Sequence, residues 1–175
     1  KVDNSRTWSV YKADAESSSY SPLDQVNKQN VHQLQVAWQF NPNDARSSRP
    51  GNNECNPIII DTVLYATSAR HRLYAVHAST GKKIWSYDPF LGGEGGGLSR
   101  GVAYWEDGDD KRILYTAGDN LYAQNALTGK LIESFGKGGT VSMNVGMRGD
   151  SSSISVIPTS PGIVFEDLLI IGGEV

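Results

Sequence analysis

The chain has 175 residues, 38% of them hydrophobic and 20% charged, with a formal net charge of −3 and a single cysteine, Cys55. Its Lys and Arg are scattered rather than clustered, which argues against nucleic acid or an anionic membrane surface as a partner. One cysteine forms no internal disulfide, no Cys and His spacing marks a metal site, and no apolar run in this range is long enough to cross a membrane.

The first thirty residues are polar and rich in turn formers, with Ser17-Ser18-Ser19 ahead of Tyr20-Ser21-Pro22-Leu23, and read as a surface lead-in. Lys1-Val2-Asp3 opens the chain without an initiator Met, as a processed end or a trimmed product would. Leu23 to Leu34 has room for a short turn or two of helix. Val31 to Phe40 alternates toward Trp38 and reads as a strand, and Asn41 to Asn53 is a loop of Asn, Ser, Arg, Pro and Gly. β-prone runs follow at Pro57 to Asp61 and Thr62 to Thr67. Leu73-Tyr74-Ala75-Val76 then leads through a tight turn at Thr80-Gly81-Lys82 into Ile84-Trp85-Ser86-Tyr87, which makes a hairpin.

A second long loop, Pro89 to Ser99, carries the run Gly92-Gly93-Glu94-Gly95-Gly96-Gly97. Without a Lys-Ser or Lys-Thr end and a following helix, this run is a pliable loop rather than a phosphate cradle. Gly101 to Trp105 and Arg112 to Thr116 are again β-prone. Leu121-Tyr122-Ala123 running to Thr128-Gly129-Lys130 then repeats the earlier segment: Tyr74 to Tyr122 and Gly81 to Gly129 are both 48 residues apart. A third loop covers Gly138 to Ser155. A third unit opens at Gly162-Ile163-Val164-Phe165, turns at Glu166-Asp167 and resumes at Leu168-Leu169-Ile170-Ile171.

Four short strands per repeat of about forty to fifty residues is the pattern of a β-propeller blade. The class is therefore all-β, built of four-stranded antiparallel blades. The expected division is a lead-in and outer strand over 1–52, a blade over 53–90, a second over 100–137 and part of a third over 156–175. Two blades close no propeller and would leave strand edges unpaired at Ile171 and near Trp38, so an N-terminal fragment of a larger protein is expected.

All three long loops precede the first strand of a unit, and in a propeller such loops gather on one face around the axis. At their ends stand Asn53-Glu54-Cys55-Asn56-Pro57, Ser99-Arg100-Gly101-Val102-Ala103-Tyr104-Trp105 and Pro158-Thr159-Ser160-Pro161. Glu54, Arg100 and Thr159 thus reach one end of a channel, where they can converge on a polar ligand. Taken alone, Glu54 and Arg100 are more often a cap or a surface ion pair, and Thr159 also reads as the organiser of a turn. Cys55 reads as a small packed hydrophobe, and His32, His71 and His77, irregularly spaced, as surface or turn residues without chemistry.

Trp8 with Tyr11, Tyr20-Ser21-Pro22-Leu23, Gln25-Val26-Asn27, Asn30-Val31, Leu34, Ala37-Trp38, Asn53-Glu54, Asn56-Pro57, Trp85, Arg100-Gly101-Val102-Ala103-Tyr104-Trp105 and Thr159, together with the repeated Leu-Tyr-Ala and Thr-Gly-Lys, give the chain a family likeness. It resembles, over nearly its whole length, the quinoprotein dehydrogenases, which use pyrroloquinoline quinone (PQQ) and fold as an eight-bladed propeller. Trp85-Ser86-Tyr87-Asp88-Pro89 and Glu133-Ser134-Phe135-Gly136 are closest in flavour to the sugar-oxidising, membrane-associated glucose dehydrogenases.

The resemblance implies that Glu54 is the acidic residue that touches the cofactor and holds the neighbouring arginine, that Arg100 is that arginine, and that Thr159 binds a cofactor carboxylate. It implies that Trp38 and Trp85 pack between blades. The activity implied is oxidation of a sugar or alcohol hydroxyl in the periplasm, with electrons passed to a downstream acceptor. Calcium (Ca2+), its ligands and the catalytic aspartate would come from blades beyond Val175, so no catalytic or metal-ligating residue is assigned here and the 175 residues alone are expected to be inactive. Several positions depart from the pattern. Glu94-Gly95 replaces the adjacent cysteines of alcohol-oxidising relatives, and Gly96 stands near where glucose-oxidising relatives have a histidine. Glu133 takes the place of Trp85 in the second repeat, where weaker packing between blades is expected, and Glu174 is left unassigned. The competing reading is a scaffold propeller of the outer-membrane assembly lipoprotein type, which shares the repeat without a cofactor. Glu54 and Arg100 meeting at one channel end would separate the two, because a scaffold has no reason to place them there.

Overall fold

The computed structural model describes residues 7–14, 16–44, 52–147 and 155–174. Among these residues the regular structure is ten strands and a 3-10 turn at Val31–Gln33. The first sheet is β1 (Ile58–Ile60), β2 (Val63–Thr67), β3 (Leu73–His77) and β4 (Lys83–Tyr87), hydrogen-bonded in sequence order and antiparallel throughout. The second is β5 (Ala103–Asp107), β6 (Asp110–Ala117), β7 (Asn120–Asn125) and β8 (Thr140–Ser142), in the same order. A third begins as the hairpin β9 (Ile163–Phe165) and β10 (Leu168–Ile170). These are the four-stranded antiparallel blades of a propeller.

Period-two alternation decides what each sheet buries. Ile58, Ile60, Tyr65, Leu73 and Ala75 face the second sheet and pack with its Ile113, Tyr115, Ala117 and Tyr122. The opposite face of the second sheet, with Ala103, Leu114, Leu121 and Ala123, packs on Val164 and Leu169 of the third. Successive sheets are therefore stacked face to face.

Trp85 locks this stacking, and Trp38 makes the same contact from the lead-in onto the first sheet. The Trp38 indole N–H donates to the Ala78 carbonyl at 3.1 Å, and the Trp85 indole N–H donates to the Ala126 carbonyl at 2.9 Å. Each ring lies over the glycine of the Thr-Gly-Lys turn it meets. A Cβ on Gly81 (φ +68°) would stand 2.5 Å from Trp38 Cε3, and one on Gly129 (φ +71°) 2.6 Å from Trp85 Cε3. Positive φ and a ring in contact together demand glycine there.

Three expectations are corrected. Val31 to Phe40 is not a strand: it opens with the 3-10 turn and continues with no strand partner among the described residues, Trp38 being held by its side chain. Alternation alone does not supply a neighbouring ladder. The stretch Gly138 to Ser155, read as a loop, contains β8. The chain touches the second sheet at Leu131 opposite Gln124, leaves it through a turn, and returns so that Val141 opposes Leu121, as Tyr87 opposes Leu73. The packing loss expected at Glu133 is made good by Ile132 and Phe135, which join the apolar cluster between the second and third sheets. Of the three histidines, read as surface or turn residues, His32 is exposed, His77 closes β3 and His71 lies in the β2–β3 turn, where it is buried.

Candidate functional site

The entrances to β1, β5 and β9 lie side by side, because their backbones are stitched together. The Asn56 N–H donates to the Arg100 carbonyl at 3.0 Å, and the Arg100 N–H donates to the Thr159 carbonyl at 2.9 Å. This close approach needs Gly101, whose φ is +139° and where a Cβ would stand 2.7 Å from the Asn56 oxygen. Backbone closeness at this point sets where the side chains meet.

Arg100 lies between the other two. Its Nη1 donates to Thr159 Oγ1 at 2.8 Å, and its Nη2 is 3.3 Å from Glu54 Oε2. All three candidate residues from the sequence thus meet in one cluster, with the guanidinium bridging three successive units. The Arg100 and Glu54 side chains retain 35% and 38% of their exposure. An ion pair this open contributes about 1 kcal/mol or less to stability, so the fold gains little from it.

The cluster has donors to spare. A guanidinium carries five N–H donors on a rigid planar fork, matched to carboxylates and to carbonyl oxygens. Thr159 Oγ1 accepts from Arg100, which leaves its own O–H proton for another acceptor. A planar ligand with carboxylate and carbonyl oxygens suits this set. Among the described residues, no group of three or more His, Cys, Asp or Glu is placed to hold a metal ion.

Residues beneath the cluster carry a feature that the sequence reading did not single out. Thr67, at the end of β2, shares a hydroxyl–hydroxyl hydrogen bond with Ser99 (2.9 Å), and both are buried. The Thr67 N–H also donates to Cys55 Sγ at 3.2 Å. Burial pushes the Cys55 thiol pKa up, against the pull of the Thr67 hydrogen bonds, which fits a packed thiol and not a nucleophile. A polar residue closing an otherwise apolar strand was the available signal for Thr67.

Residues 8–175 match the family model described as glucose/ethanol/alcohol dehydrogenase, β-propeller domain, of the PQQ class. The chain is 34% identical over 186 aligned residues to the quinoprotein glucose dehydrogenase of Escherichia coli (strain K12), a match covering 96% of this chain and 23% of that protein. It is 37% identical over 138 residues to the dehydrogenase subunit of the alcohol dehydrogenase (quinone) of Gluconacetobacter polyoxogenes, covering 75% of this chain and 18% of that one. Among solved structures, the quinohemoprotein alcohol dehydrogenase of Comamonas testosteroni superposes with a TM-score of 0.75 at 28% identity, over 98% of this chain and 24% of that one. The chain spans about a quarter of the length of the proteins it matches most fully.

Proposed function

The chain belongs to the glucose/ethanol/alcohol dehydrogenase β-propeller family, and on that premise we propose that Glu54, Arg100 and Thr159 form part of the wall that holds PQQ in a quinoprotein dehydrogenase. The observation that carries this reading is the single guanidinium that touches both Glu54 and Thr159 at the ends of three successive units. A scaffold propeller gains almost nothing from such an exposed pair, whereas a pocket for a flat, acidic quinone needs it.

When bound, PQQ supplies the ortho-quinone that takes hydride from a substrate C–OH and leaves a carbonyl product. The chain's own residues bind and orient. Arg100 offers paired N–H donors to a carboxylate or a quinone oxygen, and charge-assisted bonds of that kind are short and strong. Glu54 balances the charge of Arg100 and, with Thr159 on the same guanidinium, biases its donors toward the ligand. Thr159 adds a neutral O–H donor for a second acceptor. We assign calcium, its ligands and the base that takes the hydroxyl proton to residues outside this chain, so the 175 residues alone do not turn over substrate.

The substrate we propose is a sugar of the glucose type, with an alcohol as the second candidate. The glucose dehydrogenase match runs over nearly the whole chain, in support of the sugar, while the alcohol dehydrogenase subunits match at a similar identity over a shorter stretch. Periplasmic location and transfer of electrons to a separate acceptor belong to the same proposal. No helix among the described residues is long and apolar enough to cross a membrane.

The test is reconstitution of the full-length apoprotein with PQQ and calcium, with glucose and ethanol assayed in parallel. Arg100→Ala is expected to weaken PQQ binding about a hundredfold, the scale of a lost charge-assisted pair, and the isolated 175 residues to show no dehydrogenase activity. Unchanged PQQ affinity in Arg100→Ala would overturn the binding role, and turnover by the isolated residues would overturn the placing of the base elsewhere.

A further inference from the structure

We propose that Thr67 is a positioning residue for the cofactor pocket, holding Glu54 and Arg100 at their working separation through the residue adjacent to each. The proposal rests on the reading of Glu54 and Arg100 as PQQ ligands, and it is argued from contacts that neither residue makes itself.

The two candidate ligands sit on stretches, 52–57 and 88–102, that belong to no strand. The Asn56 N–H to Arg100 carbonyl bond brings the two stretches together at one point, and their own ion pair, a third exposed and weak, adds little to it. Thr67 supplies a second, buried tie. It is the last residue of β2 and is paired across the sheet with Leu73, which ties it to the rigid part of the blade. Its backbone N–H holds Cys55, next to Glu54, and its hydroxyl holds Ser99, next to Arg100. One strand residue therefore grips both loop ends, on two different chemical handles.

Burial makes the grip specific. Thr67 is 2% and Ser99 8% exposed, so neither hydroxyl can exchange its partner for bulk water. Moving the Ser99 loop end would leave two buried hydroxyls without each other, and moving the Cys55 end would take the partner from the Thr67 N–H; a buried polar group left unpaired costs more than a hydrogen bond in water is worth. Thr67 and Ser99 are buried whereas the Arg100 side chain keeps 35% of its exposure, so they act through Arg100.

The experiment uses the full-length apoprotein titrated with PQQ and followed by the absorption of the bound quinone. Thr67→Val keeps the volume and the backbone N–H but deletes the hydroxyl. It is expected to weaken PQQ binding about tenfold, Ser99→Ala to reproduce the effect, and Thr67→Ser to bring affinity back to within about twofold of the parent. In an Arg100→Ala background, Thr67→Val is expected to change nothing further, because the group it positions is gone. Parent-like affinity in both Thr67→Val and Ser99→Ala, or an equal loss with and without Arg100, would overturn the positioning role. If Arg100→Ala itself binds PQQ as tightly as the parent, the cofactor reading beneath it fails instead, so the two failures are told apart.

Discussion

His71 shows how one residue's surroundings translate into behaviour. It occupies the turn that closes β2 onto β3, where the His71 N–H donates to the Ser68 carbonyl and the Ser68 N–H to the Arg72 carbonyl, at 2.9 Å each. Its φ is +57°, and its ring is 7% exposed, beside Phe90 and under Gly97. Neither ring nitrogen has a hydrogen-bond partner of good geometry among the described residues. Burial holds the imidazole pKa below its ordinary value of 6.5, and the neighbouring Gly97 backbone offsets this only in part. The sign follows. Above about pH 7 the ring is neutral in both states and contributes no pH dependence; below 6.5 the unfolded chain takes up a proton that the folded chain refuses, so stability falls. Chemical denaturation of the protein at pH 7.5 and 5.5 is expected to show a larger loss in the parent than in His71→Asn, by up to about 1.4 kcal/mol per pH unit. Asparagine tolerates the left-handed backbone. Equal losses in the two proteins would contradict the account. Nothing in the spacing of the histidines announced this burial, which arises from a turn folding its own side chain inward. The meeting of Glu54, Arg100 and Thr159 was legible, by contrast, because each ends the loop before a unit's first strand. Thr67 was not, because its partners Cys55 and Ser99 are distant in sequence and meet only when the loops are stitched together.

At the scale of elements, a short motif repeats one contact. Trp38 covers Gly81 and bonds to Ala78, and Trp85 covers Gly129 and bonds to Ala126. Gly129→Ala puts a Cβ into the indole and strains a backbone at φ +71°, and is expected to cost about 2–3 kcal/mol. Trp85→Phe removes the hydrogen bond but keeps most of the ring, at about 1 kcal/mol. Thermal unfolding of both variants checks the order, and Gly129→Ala as stable as the parent would contradict the docking. The repeat made these hairpins readable, since Leu-Tyr-Ala and Thr-Gly-Lys encode both strand and turn. The outer strand of the second sheet escaped because the sequence after Lys130 departs from the repeat: the chain leaves the sheet at Glu133 and rejoins at Thr140. Val31 to Phe40 was misread for a different reason. Its alternation reflects a few side chains, chiefly Trp38, docking on the first sheet, and backbone pairing was never part of it.

The described residues form a stack of sheets in which the second buries both of its faces. Val164 and Leu169 of the third hairpin pack inward, while Ile163, Phe165, Leu168 and Ile170 on its other face are exposed. At the opposite end, Trp38, Phe40, Pro42, Leu64, Ala66 and Tyr74 line an apolar groove on the outer face of the first sheet. Uncovered faces at both ends fit a segment of a closed propeller, in accord with a chain that spans about a quarter of its matched relatives. The polar cluster lies at the strand entrances of this stack, where backbone hydrogen bonds join adjacent units. A crystal structure of the full-length protein with PQQ bound tests the central claim most directly. The account predicts a carboxylate or quinone oxygen of the cofactor at about 3 Å from the Arg100 guanidinium, with Glu54 and Thr159 on the same guanidinium. PQQ bound with no contact to Arg100 would contradict it.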